Sequence, residues 1–367
     1  MAPTRELAIQ IDAEFRKLAK DTGLNSVVVV GGRNPEEQQI MLRNGCEVLI
    51  ATPGRLKDIL ESRFTVLNNS KYVVIDEADI MIDMGLEEAL NFILDSIPKE
   101  TLKSTDEDEA DAQLRLMGRG SQNTYRTTLM FSATMPPALE AIARTYLRCP
   151  AWISIGEPGG GKKEISHVLE CMDESNKRGS LFKWLKKIDD EHRQTKNLTR
   201  DCQILIFCNH KKDVESLHKL LTADSYNVSY YHGGLTQDKR ESTIENYKAG
   251  KYRILVATDL AGRGLDIKGI KYVINFDCPK NIETYIHRSG RTGRAGKRGT
   301  CITFLTGSNE GIFYDLVNFV KQNGQDVPYD LEHHPATQVK HATMISDPNG
   351  QTANLVQSGR RNQELKF

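Results

Sequence analysis

The sequence predicts an α/β protein of two tandem domains, each with a parallel sheet. Short apolar runs alternate with amphipathic segments along the chain, and the runs are apolar at nearly every position, as strands covered on both faces must be. The alternation stops at the Gly/Pro-rich stretch 156–163 and then restarts. A length of 367 residues suits about two domains at roughly 150 residues each.

The first series reads as helix Glu6–Lys20, strand Val27–Val30, helix Pro35–Arg43, strand Glu47–Ala51, helix Leu56–Glu61 and strand Tyr72–Ile75. It continues with helix Leu86–Ser96, strand Thr128–Phe131, helix Pro137–Leu147 and strand Trp152–Ile155. The second series supplies strands Val168–Cys171, Ile204–Phe207, Val228–Tyr231, Arg253–Ala257, Tyr272–Asn275 and Thr300–Leu305. This places one domain at 1–155, a linker at 156–165, a second domain at 166–335 and a polar tail at 336–367. An irregular insertion, 99–126, carries the acidic cluster Asp106–Asp111; it reads as a docking loop or as a solvated insertion.

Composition excludes several classes. Hydrophobic residues make up 39% and charged residues 27%, ordinary for a globular chain. Runs such as Val27–Val30 are far below the ~20 residues of a membrane span, and no signal peptide opens the sequence. The seven cysteines form no C-x-x-C pair, which argues against a zinc site and for a reducing compartment. Net charge is zero, yet residues 1–155 carry 17 Lys/Arg against 23 Asp/Glu, leaving the rest of the chain basic. A purely electrostatic nucleic-acid coat is excluded; a cleft with local basic groups is not.

The chemistry-bearing residues cluster where strands end. Val73–Ile75 delivers Asp76, Glu77 and Asp79 at a strand's carboxyl end, where open α/β sheets bind ligands. An Asp there can hold Mg²⁺ through water, and the adjacent Glu can deprotonate an attacking water. The competing reading is an acidic helix start. Ser132-Ala133-Thr134 follows the next strand, its hydroxyls suited either to the acidic cluster or to capping a helix. In the second domain a strand leads into Ala257–Asp266, and further on comes His287-Arg288-Ser289-Gly290-Arg291-Thr292-Gly293-Arg294. Its glycines allow close backbone approach, and Arg291 and Arg294 suit phosphate oxygens.

With these motifs in place, the sequence resembles the DEAD-box RNA helicases. Pro3–Ala8, Gly31-Gly32, Thr52–Arg55, Asp76–Asp79, Ser132–Thr134, Ala257–Asp266 and His287–Arg294 match the family's motifs in order and spacing, to about residue 345. The resemblance implies two RecA-like domains, ATP and Mg²⁺ as cofactors and RNA as partner. It assigns Asp76 to the metal, Glu77 to the general base, and Asp79, Ser132, Thr134 and His287 to coupling between nucleotide and RNA. Arg291 and Arg294 become arginine fingers, and Asp266 a ligand of the ATP ribose. Thr4, Arg5, Gly32, Thr52 and Arg55 would face RNA from the first domain, and Asn209, Gly233, Arg240 and Thr258 from the second, through backbone contacts that read no base sequence.

One element departs from the pattern. The family's G-x-x-x-x-G-K-[ST] phosphate loop lies upstream of its P-T-R-E-L-A motif, and here the chain opens at Met1-Ala2-Pro3-Thr4. Gly156–Lys163 matches that loop except at its last position, where Lys163 offers no hydroxyl, and it reads as linker. The expectation is an amino-terminally incomplete helicase whose first domain lacks its initial strand and phosphate loop. Asp79–Gly85, the 99–126 insertion, Met130–Pro137 and His334–Gln338 resemble the tri-snRNP-associated branch that acts at the 5′ splice site. That resemblance implies a nuclear, monomeric enzyme of pre-mRNA splicing with spliceosomal proteins as partners. The alternative is an RNA-binding clamp or scaffold without ATPase activity.

Overall fold

The computed structural model describes residues 1–99, 102, 104, 125–148, 150–155, 164–193, 202–259, 269–294 and 296–338. In the first domain, β1 (Ser26–Val29) pairs in parallel with β2 (Val48–Ala51), and β3 (Tyr72–Ile75) with β4 (Thr127–Met130). Helix α1 (Arg5–Leu18) precedes them, and α2 (Pro35–Arg43), α3 (Pro53–Glu61), α4 (Ala78–Asp83), α5 (Glu87–Asp95) and α6 (Pro137–Tyr146) lie between and after them. Met1 and Ala2 bridge the two pairs: the Ala2 N–H donates to Ala51 O at 3.0 Å, and the Asp76 N–H to Met1 O at 3.1 Å. The Met1 amine donates to Val74 O at 2.6 Å, and burial lowers its pKa to about 6.

The second domain is one parallel sheet in the order β5-β10-β9-β6-β8-β7. Its strands are β5 (Ile165–Cys171), β6 (Gln203–Phe207), β7 (Val228–Tyr231), β8 (Ile254–Ala257), β9 (Ile270–Asn275) and β10 (Gly299–Leu305). On β6, Leu205 and Phe207 join one core cluster while Ile204 and Ile206 join the other. Two buried faces on one strand explain why every position of that run is apolar. The covering helices are α7 (Lys177–Glu191), α8 (Lys211–Ala223), α9 (Gln237–Lys248), α10 (Ile282–Ser289) and α11 (Glu310–Gln322), followed by the single turn α12 (Tyr329–Glu332).

The predicted strand Trp152–Ile155 does not form: Trp152, Ile153 and Ile155 are 64%, 85% and 97% exposed. A short apolar run becomes a strand only beside a free edge, and the segment joins no sheet among the described residues. Helix α3 begins at Pro53 rather than Leu56, because proline at the first helical position presets φ and loses no intrahelical bond. The short α4 follows directly on the acidic motif, as the helix-start reading of that motif expects. β5 starts at Ile165, the last residue of the predicted linker. The remaining linker residues 156–163, most of the 99–126 insertion and the tail from 339 lie outside the described residues.

Candidate active site

β3 ends at Ile75, and the chain turns at once. Glu77 adopts φ 50°, a left-handed conformation rare for a residue with a β-carbon. Asp76 Oδ1 accepts the Glu77 N–H at 3.0 Å, and Phe131 O at the end of β4 accepts the Ala78 N–H at 3.1 Å. Two adjacent strand ends therefore hold the turn. Glu77 Oε2 is buried without a hydrogen bond. Burial is the main cause raising the Glu77 pKa; Arg291 of the second domain opposes it and the Asp76 charge adds to it. A carboxyl poised upward in this way is a better proton acceptor than an ordinary surface glutamate.

Asp79 is 3% exposed. Its Oδ2 accepts from the Thr134 N–H at 2.9 Å and from Thr134 Oγ1 at 2.8 Å, while Ser132 Oγ accepts the Asp79 N–H at 3.2 Å. His287 of the second domain brings Nε2 to 3.3 Å from the same Oδ2, an ion-pair distance without hydrogen-bond alignment. Burial alone would raise the Asp79 pKa, but His287 and Thr134 outweigh it and hold it at about 2. The S-A-T segment thus serves the acidic motif as an acceptor and a pair of donors.

Helix α10 and the turn that follows it carry the second domain's share. Arg291 is buried, with Nε donating to His287 O at 3.1 Å, and Arg294 Nε donates to Gly290 O at 3.1 Å. Thr292, wholly buried, donates to Ile270 O at 2.8 Å and seats this helix end on β9. Sequence reasoning passed over Arg288, which is 2% exposed and forks onto both oxygens of Asp259. Arg288 also donates to Asn209 Oδ1 at 2.7 Å and to Asp277 O at 2.7 Å, and lies over the Phe207 ring. One guanidinium joins the arginine helix to the loops after β6 and β8. An Arg in a basic run next to a histidine gives no sequence signal that separates it from the other arginines of the run.

The predicted RNA-facing residues separate by what their side chains already hold. Thr4 caps α1 through Oγ1, accepting the Leu7 N–H at 3.3 Å. Arg5 lies against Gly31 and Gly32, and any β-carbon on Gly32, at φ 73°, would overlap its guanidinium. Arg5 Nη1 reaches Gln237 Oε1 at 3.0 Å across the domains. Arg240 also crosses: Nη2 pairs with Glu6 Oε1 at 2.8 Å, and Nε donates to Tyr231 Oη, which donates to Glu6 Oε1. Its charge is spent between the domains. Asn209 is fully engaged by Asp277, Cys278 and Arg288. Thr52 makes no cap bond, and Arg55 Nε is buried without an acceptor. Gly233 follows β7 and Thr258 follows β8, its N–H donating to Tyr231 O at 3.3 Å. Asp266 lies outside the described residues.

Comparison with known proteins fits this two-sided geometry. A DEAD/DEAH box helicase model matches residues 1–142, and a helicase conserved C-terminal domain model matches residues 185–296. The chain belongs to the DEAD-box RNA helicase family. It is 45% identical over 348 residues to the human probable ATP-dependent RNA helicase DDX23, covering 94% of this chain and 41% of that protein. It is 41% identical to the pre-mRNA-splicing ATP-dependent RNA helicase PRP28 of Chaetomium globosum, covering 93% of this chain and 47% of that protein. The chain thus spans less than half the length of these curated relatives. Among solved structures, S. cerevisiae Dbp5 bound to RNA and ADP BeF3 superposes with TM-score 0.69 at 26% identity, over 89% of this chain and 75% of that one. Mss116p bound to single-stranded RNA and AMP-PNP gives 0.67 at 26% identity, over 87% and 60%. The DEAD-box motifs thus meet as the sequence groups them: acidic turn and S-A-T on one side, histidine and arginines on the other.

Proposed function

We propose that the chain is the two-domain motor of an ATP-driven RNA-remodelling enzyme that acts in pre-mRNA splicing, in the nucleus. One observation carries the motor: Glu77 and Asp79 of the first domain meet Arg291 and His287 of the second. The splicing role rests on likeness to the DDX23 and PRP28 proteins.

Asp76 keeps one carboxylate oxygen clear of the bond to the Glu77 amide, which suits a water-mediated contact to Mg²⁺. Bound Mg²⁺ would neutralise charge on the nucleotide phosphates. Glu77 takes the proton of the attacking water at its buried Oε2. Arg291 and Arg294 stabilise charge developing on the transferred phosphoryl group. Because these groups belong to opposite domains, nucleotide favours closure, and Asp79–His287 links closure to RNA held by Arg5, Thr52, Arg55 and the loops at Gly233 and Thr258.

The test measures phosphate release with Mg²⁺, ATP and single-stranded RNA. In a form joined to a G-x-x-x-x-G-K-[ST] phosphate loop, Glu77→Gln should lower turnover by roughly 10²–10⁴ with RNA binding intact; unchanged turnover refutes the assignment. The second reading, an RNA clamp, is favoured by one observation: these 367 residues contain no G-x-x-x-x-G-K-[ST]. In that case the form joined to a phosphate loop also binds RNA and releases no phosphate, with or without Glu77.

A further inference from the structure

We propose that the outer edge of β5 is a docking site for an extended peptide of a partner protein. β5 is the terminal strand of its sheet, so among the described residues it has a neighbour on one side only. The Gly299 N–H donates to Glu164 O, and the Met172 N–H to Leu305 O. Even-numbered residues therefore turn their backbone groups to β10, and residues 165, 167, 169 and 171 turn theirs outward.

The first outward pair is already filled. Gln325 Nε2 donates to Ile165 O at 2.6 Å, and Gln325 Oε1 accepts the His167 N–H at 2.6 Å. These are the two groups that one residue of a parallel neighbouring strand would engage, so a side-chain amide stands in for a peptide unit. Beyond it the imitation stops. Among the described residues, nothing accepts the outward N–H groups of Leu169 and Cys171. At this point the edge opens into a cavity of about 590 Å³, bounded by Glu170, Cys171, Ser180, Lys183, Pro328 and Asp330. A cavity of that size lies within the range that holds a ligand.

The chemistry selects the occupant. A row of outward amides and carbonyls is matched by an extended backbone, the mode of strand addition. Glu170, its Oε1 fixed by Trp184 Nε1 at 2.8 Å, and Asp330 put two carboxylates against one cation, Lys183. A peptide with a basic side chain at the position facing Asp330 complements this rim. Cys171, exposed at the mouth, has its pKa raised by burial of the thiol and by Asp330. It stays a neutral thiol, leaving the strand edge as the recognition element.

The test pans a phage-displayed library of random dodecapeptides on the whole chain and measures a synthesised winner by fluorescence anisotropy. The winner should lose at least roughly tenfold in affinity with Ser180→Trp, which fills the cavity, and with Cys171→Pro, which removes an edge donor. Melting temperatures should be unchanged, and amide exchange at Leu169 and Cys171 should slow when the peptide binds. Should either variant fail to fold, Asp330→Lys, at an exposed position, must weaken a basic winner by a similar factor. Three results overturn the proposal: no enrichment, winners indifferent to all three variants, or winners displaced by single-stranded oligo(U), which would put them in the cleft. The outcome does not depend on ATP turnover, so it stands or falls apart from the motor reading.

Discussion

Replacing Arg240 by Gln should open the two domains. The side chains of Arg240 and Glu6 are each 11% exposed, so their contact is little screened by solvent. Glu6 Oε1 receives both the Arg240 guanidinium at 2.8 Å and the Tyr231 hydroxyl at 3.1 Å. In the open form both charges are hydrated, and in the closed form each satisfies the other. Hydrogen bonds to charged groups contribute roughly 1.5–3 kcal/mol, so losing this one should cost closure about 2 kcal/mol. That is about a 30-fold fall in the closed-to-open ratio. Small-angle X-ray scattering with saturating single-stranded RNA should show a larger radius of gyration for Arg240→Gln, and RNA should dissociate faster. Glu6→Gln should do the same, and the double variant should be little worse than either single one. Fully additive effects, or a variant with unchanged scattering, would refute an interdomain latch.

Further outcomes follow from particular contacts. Gly32→Ala should destabilise the chain by about 1–2 kcal/mol from the left-handed backbone alone and weaken RNA binding by displacing Arg5, whereas Gly31→Ala, whose β-carbon would stand 3.4 Å from Arg5 Nη2, should be mild; thermal melts and anisotropy separate the two. Arg288→Lys keeps the charge but loses the fork onto Asp259, so it should cost about 1–3 kcal/mol and weaken RNA binding through Asn209; an unchanged melting temperature contradicts this. Burial lowers the His167 pKa to about 4, so the unfolded chain binds this proton below pH 6.5 while the folded chain resists it. Stability should therefore fall by about 3 kcal/mol between pH 6.5 and 4. His167→Gln should remove that part of the slope in denaturant titrations across pH.

Much of this was legible because the site is built from short motifs at strand ends. The strands of the second domain read clearly, since residues such as Ile204–Phe207 face core on both sides. The same rule failed at Trp152–Ile155, an apolar run that pairs with no strand among the described residues. The acidic turn was legible as a residue pattern, but the left-handed Glu77 was not, because that conformation is imposed by the strand ends around it. Arg240 faces RNA only by family resemblance; its pairing with Glu6 depends on residues 234 positions apart meeting across a cleft, which no local pattern shows. Arg288 was missed for a related reason. Its fork onto Asp259 and its contact with Asn209 join loops far apart in the chain, and they exist only once the sheet is assembled.

The strand order of the second domain also sets when it can be finished. β5 is the first of its strands to leave the ribosome, and its ladder partner β10 is the last, since Ile165 pairs with Gly299. More than 130 residues must be synthesised between them, on the order of ten seconds at about 5–20 residues per second. Until then β5 has no partner, and β9 and β6 can pair before it. The nascent chain therefore carries an unpaired apolar strand for most of the domain's synthesis. Gln325 emerges later still, so the amide that covers the outer edge at Ile165 and His167 arrives only after the sheet has closed. The domain should be protease-sensitive on stalled ribosomes until β10 is outside the exit tunnel, and become resistant in one step.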